Sequence, residues 1–110
     1  MTGFGLIGHL GRAVFESGVD VDLSFGAVPF IDGVRELAEA GFVPGGSRRN
    51  LASLESQVDP GQIDDLSVLL LADAQTSGGL LIAVAPDRVE KLRSALGKHG
   101  VQCDSPIGRF

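Results

Sequence analysis

Three short segments of this chain combine glycine with hydroxyl, amide or guanidinium side chains. Thr2-Gly3-Phe4-Gly5-Leu6-Ile7-Gly8-His9 opens the sequence, Gly45-Gly46-Ser47-Arg48-Arg49-Asn50 lies near its middle, and Gln75-Thr76-Ser77-Gly78-Gly79-Leu80 leads into an apolar run. Glycine costs backbone entropy, so clustering many of the 16 glycines in these segments implies backbone that turns sharply or approaches something closely. Phosphate is the ligand that such backbone suits, because bare N–H groups at a helix start hold an anion by hydrogen bonds and by the helix dipole.

Each segment has a functional and a structural reading. Gly3, Gly5 and Gly8 satisfy the G-x-G-x-x-G dinucleotide fingerprint, with Asp20 or Asp22 where an acid would meet a ribose. That fingerprint needs a strand before its first glycine, and only Met1 and Thr2 stand there, so NAD binding is rejected. An anion site over Thr2, Gly3, Phe4 and Gly5 remains, against glycines used only for close helix packing. Gln75, Thr76, Ser77, Gly78 and Gly79 offer an amide, two hydroxyls and two unhindered N–H groups. They suit a phosphate or nucleotide edge, or a tight turn into a buried strand; without the lysine and following helix of a P-loop, Walker chemistry is excluded. Arg48 and Arg49 can clamp phosphoryl oxygens bidentately or be simply solvated, and Asn50 caps or braces their loop.

The remaining polar residues promise less. His9 is a lone histidine on a helix, His99 complements a helix C-terminus, and Cys103 has no His or Cys at ligand spacing. Asp20 and Asp22 read as a solvated strand face, and Asp64 and Asp65 as a helix start. No catalytic residue and no metal set is expected within the chain.

Periodicity supplies the elements that must position these segments. Leu6, Ile7, Leu10, Ala13 and Val14 predict a helix closed by Ser17-Gly18. The alternation from Val19 to Phe25 predicts a strand, and Ile31, Val34, Leu37 and Ala38 a second helix ended by Gly41. Residues 42 to 58 read as a loop, with a short turn around Leu51 to Leu54. A third helix runs from Ile63 to Leu71. Leu80 to Ala85 suits a central strand covered on both faces, and Pro86-Asp87 opens a last helix with Val89, Leu92 and Leu96 inward and Gly100 as its stop. Val101 to Cys103 and Ile107 to Phe110 are strand candidates. The expected fold is α/β, α+β-like, with helices covering a small mixed sheet.

The 110 residues, at 44% hydrophobic, form a single domain over 1–110 with an aliphatic core. A net charge of −5 argues against nucleic acid or an anionic membrane as partner. One cysteine forms no internal disulfide, no segment has the length of a membrane span, and the start lacks a signal peptide, so a cytoplasmic protein is expected.

Taken together and in this order, the three segments resemble the C-terminal domain of the selenophosphate synthetase (selenide, water dikinase) family. The wider family includes aminoimidazole ribonucleotide synthetase, thiamine-monophosphate kinase and a hydrogenase maturation factor. The resemblance covers essentially the whole chain. It implies a phosphotransferase that uses ATP, Mg²⁺, selenide and water, a homodimer in its full form, with this domain closing the nucleotide cleft. The family's acidic metal ligand falls two residues ahead of the position of Thr2, and its reactive Cys or Sec, Lys and further aspartates sit in an N-terminal domain. The chain therefore resembles the C-terminal half of such an enzyme, expected neither to turn over ATP nor to bind it tightly alone. An orphan binding module and another family branch, such as aminoimidazole ribonucleotide synthetase, are the alternatives. Ala74 departs from the family's usual proline, which is expected to loosen the turn before Gln75.

Overall fold

The computed structural model describes residues 1–101 and 106–110. Helix α1, Gly5–Ser17, begins at the first glycine loop and buries Gly5, Leu6, Ile7 and Leu10 along one side. Gly18 ends it in the left-handed region (φ 64°), returning its N–H to the carbonyls of Val14 and Phe15. Helix α2, Val34–Glu39, is shorter than its pattern suggests: Ile31 and Leu37 are exposed and Ala38 is the residue it buries. Helix α4, Asp65–Leu71, starts where the Asp64 carboxylate accepts from the Ser67 N–H at 2.8 Å. From Ser67 to Ala72 every residue is buried, because α4 is enclosed by α1, α2 and the helix Gly45–Leu54. Leu6, Ile7, Leu71 and Ala72 form the centre of the core.

Three expectations are corrected. Residues 42 to 58 are not a loop throughout: Gly45–Leu54 is helix α3. Its inward residues Ser47, Asn50, Leu51 and Leu54 fall at i, i+3, i+4 and i+7, and two of the four are polar, so an apolar period does not show it. The strand expected over Val19 to Phe25 shrinks to β1, Asp22–Leu23, followed by a 3-10 turn at Phe25–Ala27. It pairs antiparallel with β2, Gly108–Arg109, Asp22 opposite Arg109 and Leu23 opposite Gly108, and the Ser24 N–H extends the ladder to the Ile107 carbonyl at 2.7 Å. A Cβ on Gly108 would lie 2.5 Å from the Asp22 carbonyl oxygen, so this pairing requires glycine.

The third correction concerns Leu80 to Ala85, which lies in no described strand. Leu81 packs on the core while Leu80 is 85% exposed and Ile82 and Val84 are also exposed. A strand exists only with a partner's hydrogen bonds, and the two-stranded antiparallel sheet lies elsewhere. Helix α5, Val89–Lys98, follows a 3-10 turn at Pro86–Arg88; Val89, Leu92 and Leu96 are half-buried on it and none of its residues is fully buried. Val101 lies outside any strand, and Cys103 lies outside the described residues. The mixed helix-and-strand class holds, in the order α-β-α-α-α-α-β. Among the described residues no helix is long and apolar enough to cross a membrane.

Candidate functional site

The three glycine segments meet. Thr2, at the start, directs its carbonyl to two N–H groups at once, that of Gly5 and that of Gln75, both at 3.1 Å. Asn50, on α3, spreads its amide between the Gly3 carbonyl at 2.7 Å and the Ala72 carbonyl at 3.0 Å, so one side chain fastens the first segment to the third. One turn earlier, Ser47 is fully buried; its hydroxyl donates to Asp73 Oδ1 at 2.5 Å and accepts from the Ala74 N–H at 3.2 Å. That last bond is one a proline at 74 could not make, so the alanine adds a tie where a looser turn was expected. Both polar residues sit on the inner face of α3, which is why this helix, rather than a flexible loop, is what positions the site.

Close backbone approach explains two of the glycines. Gly5 has φ 71°, and a Cβ on it would sit 2.6 Å from both the carbonyl carbon and oxygen of Ala72. Gly78 would place a Cβ 2.7 Å from the Met1 carbonyl oxygen. The structural reading of these positions is thus physically sufficient for Gly5 and Gly78, whatever else their N–H groups do.

Other N–H groups around this knot are open. Among the described residues nothing accepts from the main-chain N–H groups of Gly3, Phe4, Thr76, Ser77, Gly78 or Gly79, or bonds the hydroxyls of Thr76 and Ser77. The Gln75 side chain turns back to donate to the Asp73 carbonyl at 3.2 Å and is not open in the same way. Arg48 and Arg49 are exposed, and among the described residues neither has a hydrogen-bonding or ionic partner; Arg49 folds back toward Gly45, whose Cβ would lie 3.4 Å from its Nη1. Phe4 is 67% exposed and stands edge-on to His9, ring centres 6.0 Å apart. Donors therefore dominate the surface where the segments meet, a composition that suits an anion. Among the described residues no three His, Cys, Asp or Glu side chains gather as a metal would need.

The model of the C-terminal domain of AIR synthase related proteins matches residues 1–110. The chain belongs to that domain family. Curated relatives of this AIR synthase related domain include the selenide, water dikinase of Haemophilus ducreyi, 47% identical over 100 residues, which are 91% of this chain and 28% of that protein. The selenide, water dikinase of Yersinia pestis is 43% identical over all 110 residues, 31% of its own length. That of Caldanaerobacter subterraneus subsp. tengcongensis is 43% identical over 98 residues, covering 89% of this chain and 28% of its own. The chain thus spans under a third of the length of the relatives it matches.

Sequence reading found all three segments but not what binds them. Ser47 and Asp73 do not stand out in the sequence, because a serine and an aspartate beside glycines look like turn chemistry. The spacing of Ser47 to Asn50, Leu51 and Leu54 is the signal that places these four on one helical face.

Proposed function

We propose that this chain acts as the C-terminal domain of a selenide, water dikinase, an enzyme that converts selenide, ATP and water to selenophosphate, AMP and phosphate. The observation that carries this is the likeness to enzymes of that name across 89–100% of the chain. The role that fits its chemistry is to close a nucleotide cleft with neutral donors: the N–H groups of Gly3, Phe4, Thr76, Ser77, Gly78 and Gly79, with Thr2, Gly5 and Gln75 holding them and Arg48 and Arg49 free to reach phosphoryl oxygens. Catalysis of phosphoryl transfer is mainly positioning and charge neutralisation, and fixed donors serve both. The donor set fits phosphate and not a cation, so Mg²⁺ would be held by residues outside this chain.

The partners of this reading are an N-terminal domain carrying the charged machinery, ATP and selenide, and a second copy in a homodimer, all in the cytoplasm. The exposed Leu80, Ile82 and Val84 support an apolar partner surface. The test replaces the matching segment of the Haemophilus ducreyi enzyme with this chain. Selenide-dependent selenophosphate and AMP, followed by phosphorus NMR, are expected from the chimera and not from the chain alone. A folded chimera without that activity, or turnover of ATP by the chain alone, contradicts the reading.

A further inference from the structure

The residue that fixes Thr2 is His9. The Thr2 main-chain N–H donates to His9 Nε2 at 3.0 Å, and Thr2 Oγ1 lies 3.0 Å from the same nitrogen. An amide N–H can only donate, so Nε2 must present its lone pair, and the neutral ring then carries its proton on Nδ1. His9 reaches Thr2 because side chains in the first turns of a helix lean toward its N-terminus. Thr2 in turn has its N–H and hydroxyl at His9 and its carbonyl shared by Gly5 and Gln75. The placement of one imidazole therefore sets the start of α1 and the entry to the third glycine segment together.

We propose that His9 is a positioning residue that holds the first and third glycine segments in register only while its ring is neutral. A proton on Nε2 would still let the ring donate to Thr2 Oγ1, but it would set two N–H groups against each other and release the Thr2 main chain. Protonating the ring would therefore loosen the register of the two segments. Met1 lines the same recess, its amino group bonding the Gly79 carbonyl, and the other lining residues, Ala13, Leu80 and Leu81, are uncharged. On α1, Arg12 is paired with Glu16 at 2.7 Å, and in the third segment's approach Asp73 is bound by Ser47.

The experiment is a pH titration of the whole chain by nitrogen-15 NMR, reading the His9 ring nitrogens beside the Gly5 and Gln75 amides. Above the ring's midpoint Nε2 is expected to show an unprotonated signal and Nδ1 a protonated one, and the Gly5 and Gln75 amides are expected to shift with the ring's own midpoint. In His9→Gln, whose carbonyl oxygen accepts without titrating, that step should vanish. A ring protonated on Nε2 in its neutral form overturns the proposal, as do Gly5 and Gln75 amides that stay still while the ring titrates. A step that survives in His9→Gln belongs to another group and overturns it equally.

Discussion

Val68-Leu69-Leu70-Leu71 and Leu80-Leu81-Ile82-Ala83-Val84 are both unbroken apolar runs, yet they have opposite fates. The first is buried to 5–8% exposure within α4, while in the second Leu80 remains 85% exposed and only Leu81 joins the core. A helix satisfies its backbone within the segment, so burial asks only for neighbours, and α1, α2 and α3 supply them. An extended run needs a second backbone alongside it before burial is affordable. The comparison also separates the candidate site from its surroundings: the convergence of the three glycine segments rests on the closed region, and the third segment exits toward the open one.

The largest effect is expected at Gly5, where left-handed backbone and contact with Ala72 coincide. Gly5→Val should cost more than about 3 kcal/mol and leave little folded protein, measured by urea unfolding. A folded Gly5→Val chain would show that α1 can part from the end of α4 without loss. Next come the two polar residues of α3. Asn50→Ala strips a donor from two carbonyls, and Ser47→Ala leaves Asp73 and the Ala74 N–H without their partner; each should cost about 1–3 kcal/mol. Because both act on residues 72–74, the double variant should cost less than the sum, and strict additivity would mean the two contacts are independent.

Acid should weaken the closed region through Asp64. The Ser67 N–H, and then the Arg35 guanidinium at 2.9 Å, hold this carboxyl below the usual carboxylate range. A lowered folded-state value means the stabilisation is complete above the unfolded carboxyl's titration and is lost as pH falls through the folded one. Melting temperature should therefore drop below about pH 4, less steeply in Asp64→Asn than in the unaltered chain. Parallel pH curves for the two would remove Asp64 from the account. The smallest effect belongs to the open run: Leu80→Ser should change stability by no more than about 0.5 kcal/mol, and a larger loss would show that this segment is packed after all.

The helices α1 and α4 were legible because their apolar residues and caps lie close in sequence. Helix α3 was hidden by Pro44, Gly45 and Gly46 at its start and by an inner face that is half polar. The strands failed in the other direction: the alternation of Val19 to Phe25 is real, but only Asp22 and Leu23 find a partner, some eighty-five residues further along the chain. Within the site, the glycine segments announced themselves by composition, whereas the Asn50 and Ser47 contacts join residues 22 to 47 positions apart and leave no local mark.

The account stands most directly on whether the three glycine segments form one unit. Native-state hydrogen exchange of the Gly5, Ala74 and Gln75 amides measures this, since each donates within the knot. All three are expected to open with one common free energy, close to that of α4 and well above that of the Leu80 to Val84 amides, and to fall together in Asn50→Ala. Gly5 opening independently of Ala74 and Gln75, or an Asn50→Ala change confined to one segment, would contradict it.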